Sequence, residues 1–209
     1  HRHTMKSFKQ FLNEDKEFSI DKFASDCKFY LDLVGHEKKI LYHGQKNRGT
    51  SPFDILPWVE RKGPRDSSDA AHAAFNEFFQ SKFGISARNW LFTTAERNTA
   101  HLYGGVDAVF PIGPFEWIFT NNEDLSDLTG CIDHQRYIIK KSAPEMPYED
   151  VKQLALENTV KKMRKSTWKL NTDFKSAFNT TCEIMIKCDK FYAINYQSEE
   201  FKQVMEFLR

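Results

Sequence analysis

Leu91-Phe92-Thr93-Thr94-Ala95-Glu96-Arg97-Asn98-Thr99-Ala100-His101-Leu102-Tyr103-Gly104 is the stretch on which the reading of this chain turns. Its apolar start, Trp90–Thr93, predicts a short strand closing on threonines, which suit an extended backbone. Glu96–Tyr103 then predicts a short helix, with glycine behind it. A strand that ends in hydroxyls and runs into a helix bearing a tyrosine brings polar groups to one sheet edge. Two distant stretches gain meaning beside it: Ile40-Leu41-Tyr42-His43-Gly44 upstream and Thr181-Cys182-Glu183-Ile184-Met185-Ile186 near the end. Together the three read as the walls of one pocket.

Outward from there the chain alternates helices and short strands. Ser19 caps a predicted helix with Asp21 in its first turn, apolar positions Phe23, Cys27, Tyr30, Leu31 and Val34, and a stop at Gly35. Lys39–Tyr42 reads as a buried strand. Gly44–Pro64 is rich in Gly, Pro, Asn and Ser and reads as a long loop, with Phe53, Ile55, Leu56 and Trp58 packing it down. Ser67–Phe83 is a helix capped by Ser67 or Ser68, with Ala71, Ala74, Phe75, Phe78 and Phe79 on its buried face and Gly84 at its end. Ala108–Pro111 and Phe115–Thr120 read as strands about the Gly113-Pro114 turn. Asn121–Thr129 reads as a loop with a helical turn, and Arg136–Lys140 as a strand. Tyr148–Lys165 is a helix started by Pro147. Asn171–Thr180 is polar, Cys182–Ile186 and Phe191–Asn195 read as a closing hairpin, and Glu199–Leu208 as an amphipathic helix. This order fits an α+β fold better than a regularly wound parallel sheet.

Composition bounds the function. At 209 residues one domain is the default, and 19 phenylalanines point to an aromatic core. A net charge of +1 gives no general attraction to nucleic acid or membrane, and no apolar run approaches a membrane-spanning length. Cys27, Cys131, Cys182 and Cys188 form no CxxC pair and no zinc spacing, so they read as reduced thiols in a cytosol-like compartment, without a metal. His1–Thr4, before Met5, resembles a purification-tag remnant.

Each candidate for chemistry has an ordinary alternative. His43 could be a satisfied core histidine, Thr93 and Thr94 simply strand residues, and Tyr103 core. Asp133 and His134 could suggest acid–base work, in surroundings that read as a loop. Glu183 is harder to dismiss: strand alternation sets it with Met185, opposite Cys182, Ile184 and Ile186. A carboxylate in an apolar strand either faces solvent at an edge or serves a pocket.

Taken together the motifs resemble those of the ADP-ribosyltransferase superfamily. Tyr42-His43-Gly44 is similar to the first motif of its histidine–tyrosine–glutamate branch. Phe92-Thr93-Thr94-Ala95 followed by Tyr103 resembles the second, and Glu183, followed by Phe191-Tyr192-Ala193-Ile194, the third. The resemblance implies a split β-sheet core over residues 37–209 after an N-terminal helical segment, 5–36. It implies an NAD-consuming mono-ADP-ribosyltransferase with NAD as substrate. In that scheme Glu183 is catalytic, His43 holds the adenosine-side ribose, the Gly44 backbone pairs with the nicotinamide amide, and Tyr103 stacks on the nicotinamide ring. Thr93 and Thr94 support Glu183 by hydrogen bonding. The threonine pair resembles the Ser-Thr-Ser motif of the arginine-modifying branch, yet His43 and Thr181 stand where that branch has Arg and Glu. The chain is mixed in character, and arginine is disfavoured as acceptor.

Met5–Asn13 resembles the leader of internal head proteins in T4-like bacteriophages; as an ordinary amphipathic helix it reads equally well. A leader over residues 5–14 implies a location in the virion and then the host cytoplasm, with a host macromolecule as acceptor; without it the expected location is cytoplasmic. The competing reading is a non-enzymatic internal or anti-defence protein that binds a host protein through an apolar patch about Phe53–Trp58. A third, nucleic-acid binding, rests on Lys152, Lys161, Lys162, Arg164, Lys165 and Lys169, which a solvated helix face explains more simply.

Overall fold

The computed structural model describes residues 17–35, 37–64 and 67–209, so the stretches 1–4 and 5–14 lie outside the described residues. In chain order the elements are α1 (Ile20–Asp26), α2 (Lys28–Val34), β1 (Leu41–Gln45), β2 (Phe53–Pro57), α3 (Asp69–Phe83), β3 (Leu91–Thr93) and α4 (Arg97–His101). They continue with β4 (Gly105–Ile112), β5 (Glu116–Thr120), α5 (Leu128–Ser142), α6 (Tyr148–Lys165), β6 (Trp168–Leu170), β7 (Ile184–Lys187), β8 (Lys190–Asn195) and α7 (Glu199–Phe207). Short 3₁₀ turns occupy Ala87–Asn89, Glu123–Leu125 and Phe174–Asn179.

The fold is α+β, with two antiparallel four-stranded sheets ordered β1-β4-β8-β2 and β3-β7-β5-β6. They meet where Tyr42 and Thr94 exchange backbone bonds, Tyr42 N–H to Thr94 C=O at 2.8 Å and Thr94 N–H to Tyr42 C=O at 3.0 Å. The chain crosses between the sheets at Gly113–Phe115 and again at Cys188–Asp189.

There are two cores: one joins residues of both sheets, among them Phe110, Ile194, Phe119 and Ile186, and the other lies between the second sheet and its helices. Phe23, Tyr30 and Val34 of α1 and α2 pack on the first sheet, where Tyr30 meets Phe110 edge-on with ring centres 5.6 Å apart. Such pairs add about 1 kcal/mol to what burial alone contributes. Phe75, Phe78 and Phe79 of α3, with Leu128 and Ile132 of α5 and Val151, Ala155 and Met163 of α6, cover the second sheet. Ser19 and Ser68 cap α1 and α3, accepting from Lys22 N–H and Ala71 N–H, and Gly35 and Gly84 close α2 and α3.

Four expectations need correction. The helix after Ser19 is broken at Cys27 into α1 and α2, although its five apolar positions are all buried. Gly44–Pro64 is not a continuous loop: Phe53–Pro57 is an edge strand beside β8, and Pro57 sits at its last position, where a missing donor costs least. Arg136–Lys140 is helical, the second half of α5, because Leu128, Ile132 and Ile139 bury one face from a start capped by Asp127. Cys182–Ile186 and Phe191–Asn195 form no hairpin; β7 pairs with β3 and β5, while β8 pairs with β4 and β2.

Candidate functional site

At the seam between the sheets is a cavity of about 150 Å³, and His43, Gly44, Thr93, Thr94, Tyr103 and Glu183 all line it. Chain positions 140 residues apart thus converge because β1 and β3 meet at the Tyr42–Thr94 bridge and β7 lies beside β3.

His43 is in β1, and its Nδ1 lies 2.7 Å from the carbonyl oxygen of Phe92, which ties β1 to β3 through a side chain. Gly44 follows. A Cβ there would stand 2.0 Å from the Ala100 carbonyl oxygen and 2.9 Å from Tyr103 Cβ, so only glycine lets α4 close on β1. That packing seats Tyr103 on the cavity wall, where its hydroxyl donates to Asp127 Oδ2 at 3.4 Å. Asp127 Oδ1 accepts from Thr129 N–H at 2.9 Å and so caps α5.

The threonines do not hold Glu183, contrary to expectation. The Thr93 hydroxyl donates to the Ile184 carbonyl at 2.7 Å, fixing the start of β7, and Thr94 Oγ1 accepts from Glu96 N–H in the turn into α4. Their reach stops at the backbone because Glu183 precedes β7 rather than lying in it, its own N–H bonded to the Ser126 carbonyl at 3.1 Å. The carboxylate is held instead by Arg88, whose Nη1 donates to Glu183 Oε2 at 2.6 Å. Arg88 is 3% exposed and its guanidinium lies 4.1 Å from the centre of the Phe92 ring. Arg61 approaches the same ring at 4.3 Å. A scaffold on α3 places Arg88: its N–H donates to Asn76 Oδ1 at 3.0 Å, and Asn76 Nδ2 donates to Asn89 Oδ1 at 2.9 Å.

Burial pushes the Glu183 carboxyl above the ordinary carboxylate range; Arg88 opposes this by charge and hydrogen bond, Asp127 reinforces it, and Arg61 weakly opposes it. The side chain keeps 19% of its surface open. The site therefore presents two carboxylates, Asp127 at the start of α5 and Glu183 backed by a buried cation, to a cavity walled by an aromatic ring, a phenol and an imidazole.

Arg88 was not among the residues the sequence brought forward. Its signal is faint: one arginine in Ser86–Asn89, before an apolar strand, with its partner far along the chain.

Other expected features fall elsewhere. Asp133 and His134 are exposed on helix α5, outside this cavity. Phe53 is buried, Ile55, Leu56 and Trp58 are half-buried, and Pro57 with the flanking Pro52 and Val59 is exposed. Half of the basic run is paired: Lys152 with Glu149 at 2.8 Å, Lys162 with Asp124 at 3.1 Å, and Lys169 with Asp173. The four cysteines are unpaired, no group of three or more His, Cys, Asp or Glu among the described residues could hold a metal ion, and no described helix is long and apolar enough to cross a membrane. Comparisons of the chain with protein-family models, curated proteins and solved structures find no match.

Proposed function

We propose that the protein is an NAD-consuming mono-ADP-ribosyltransferase with Glu183 as its catalytic carboxylate. The observation that carries the reading is convergence. The six residues named from three short motifs line one cavity, and the glutamate among them is the group whose charge is held in place by a buried arginine. The split into two antiparallel sheets supports the same reading.

The chemistry follows from the geometry. Breaking the bond between nicotinamide and ribose leaves an oxocarbenium-like sugar, as glycoside cleavage does. A fixed anion beside that sugar lowers the barrier without reorganising during the reaction. Arg88 occupies Oε2, which leaves Oε1 to accept from a ribose hydroxyl. Tyr103 offers its ring to the nicotinamide, His43 is placed for the second ribose, and Arg61 adds a cation suited to the diphosphate. The acceptor is a macromolecule of a bacterial host if the leader-like stretch at 5–14 serves as its resemblance implies.

The test is nicotinamide release from NAD by wild type and Glu183→Gln, with NAD binding followed by calorimetry. The expected outcome is release by wild type, loss of about a hundredfold or more in the variant, and binding retained in both. Equal turnover, or no binding by wild type, removes the proposal.

A further inference from the structure

A second cavity, of about 250 Å³, adjoins the first. Its walls come from α5, α6 and the turn before α5, with Asp124, His134, Gln135, Thr159 and Lys162 among the lining residues. Ser126 and Asp127 line both cavities. Both also act on Glu183: its N–H bonds the Ser126 carbonyl, and the Asp127 charge acts on its carboxyl. A transferase needs two compartments that meet at the sugar carbon under attack. The first cavity has the donor's features, and the second opens from the same wall.

Resting on the reading above, we infer that the second cavity is the acceptor subsite, that it takes a nitrogen nucleophile carrying hydrogens to donate, and that Asp127 receives the proton lost on attack. The walls decide the class. The carboxylates of Asp124 and Asp127 accept hydrogen bonds, as does the amide oxygen of Gln135. The Thr159 hydroxyl spends its proton on the Ala155 carbonyl at 2.9 Å and keeps its lone pairs for a donor. The one ammonium, Lys162, is drawn to Asp124. A phosphate or carboxylate acceptor would face two carboxylates for one shared cation. Cys131, also on this wall, donates to the Asp124 carbonyl, and burial pushes its thiol up to about 11, so it stays protonated and does not compete as nucleophile.

The step balances. The nitrogen lone pair forms the bond to the ribose C1′ as the bond from C1′ to nicotinamide breaks and its electron pair leaves on the nicotinamide nitrogen. The proton of the acceptor nitrogen passes to Asp127 Oδ2, on the side facing Tyr103, and then to solvent. Asp127 Oδ1 stays on the Thr129 N–H throughout.

The experiment offers agmatine, butylamine and propionamide in turn, and a 5′-phosphorylated abasic DNA strand, which has no base nitrogen, as the anionic counterpart, to wild type with NAD. Adduct mass is read beside nicotinamide release into water. The expected result is a nitrogen adduct with at least one of the three probes and none with the strand. Gln135→Trp, which fills the second cavity, raises the acceptor KM at least about tenfold. Asp127→Asn keeps the helix cap through its amide oxygen and lowers the transfer kcat by about a hundredfold. Release into water with no nitrogen adduct, an adduct on the strand alone, or wild-type transfer by either variant overturns the inference. No release at all by wild type sinks the NAD reading, and this one with it.

Discussion

Arg88 Nη1 and Glu183 Oε2 are 2.6 Å apart across 95 positions of sequence, and 4% and 19% of their side chains are exposed. The pair joins a 3₁₀ turn held by α3 to the residue that immediately precedes β7. A buried ion pair is poor evidence of stability, because desolvation offsets much of the attraction. Its value here is control of charge: burial and Asp127 both favour a neutral Glu183, and Arg88 opposes them.

That balance sets a pH dependence. On the proposed reading nicotinamide release needs the ionised carboxylate, so it is expected to fall as pH drops through the Glu183 pKa, which burial raises above the ordinary carboxylate range. Arg88→Gln removes the main attraction favouring the charged form, so the acid limb of kcat against pH moves to higher pH while KM for NAD changes little. An unmoved acid limb would show that Arg88 does not govern Glu183.

Stability responds differently to the two halves of the pair. Arg88→Met leaves a buried carboxylate without its cation and is expected to cost about 3 kcal/mol, seen as a lower midpoint in urea. Glu183→Gln keeps a hydrogen-bond acceptor for Nη1 and is expected to cost less. A carboxyl whose folded pKa is raised contributes stability below its unfolded value and loses it as pH rises through the folded one. Wild type should therefore gain stability relative to Glu183→Gln on acidification through that window.

Gly44→Ala tests whether the close approach of α4 sets the site. The added carbon would meet the Ala100 carbonyl at 2.0 Å, so α4 must shift, at about 1–3 kcal/mol or more. Tyr103 moves with it, and NAD affinity is expected to fall together with the thermal midpoint.

His43→Ala removes the link between β1 and the Phe92 carbonyl. The expected cost is about 1 kcal/mol of stability and about tenfold in NAD affinity by calorimetry. Unchanged affinity would remove His43 from the donor pocket.

The segment between β1 and β2 is anchored by Asp107, which is 1% exposed and accepts from Arg48 Nε and from Gln45 Nε2, each at 2.5 Å. Arg48 also donates to the Gly49 and Ser51 carbonyls. Asp107→Ala leaves the guanidinium without its carboxylate, and a loss of about 3 kcal/mol is expected, with faster amide exchange in 46–52.

Local rules made much of the fold legible. Ser19, Ser68 and Pro147 mark helix starts because capping is decided within one turn. The same scale misled at Arg136–Lys140, where Tyr137-Ile138-Ile139 looks strand-like until Leu128 and Ile132 are read with Ile139 as one helical face. It misled again at β7 and β8, since adjacency in sequence cannot say which sheet a strand joins. For the site, short motifs were enough to bring six residues to one cavity. They could not find Arg88, which is defined by a partner met only after both sheets have formed.

The seam has one further consequence. Backbone bonds at Tyr42 and Thr94 and the short crossings at Gly113–Phe115 and Cys188–Asp189 stitch the sheets together. The cleft thus has fixed jaws rather than a hinge, and its gape is an inherited constant of the scaffold. A change of substrate has to be written in the segments that rim it, around Arg61–Pro64 and Asn121–Asp127. Those segments can vary in length and charge, whereas the strand pairing that sets Glu183 against His43 can shift only by a whole register step, about 3.3 Å.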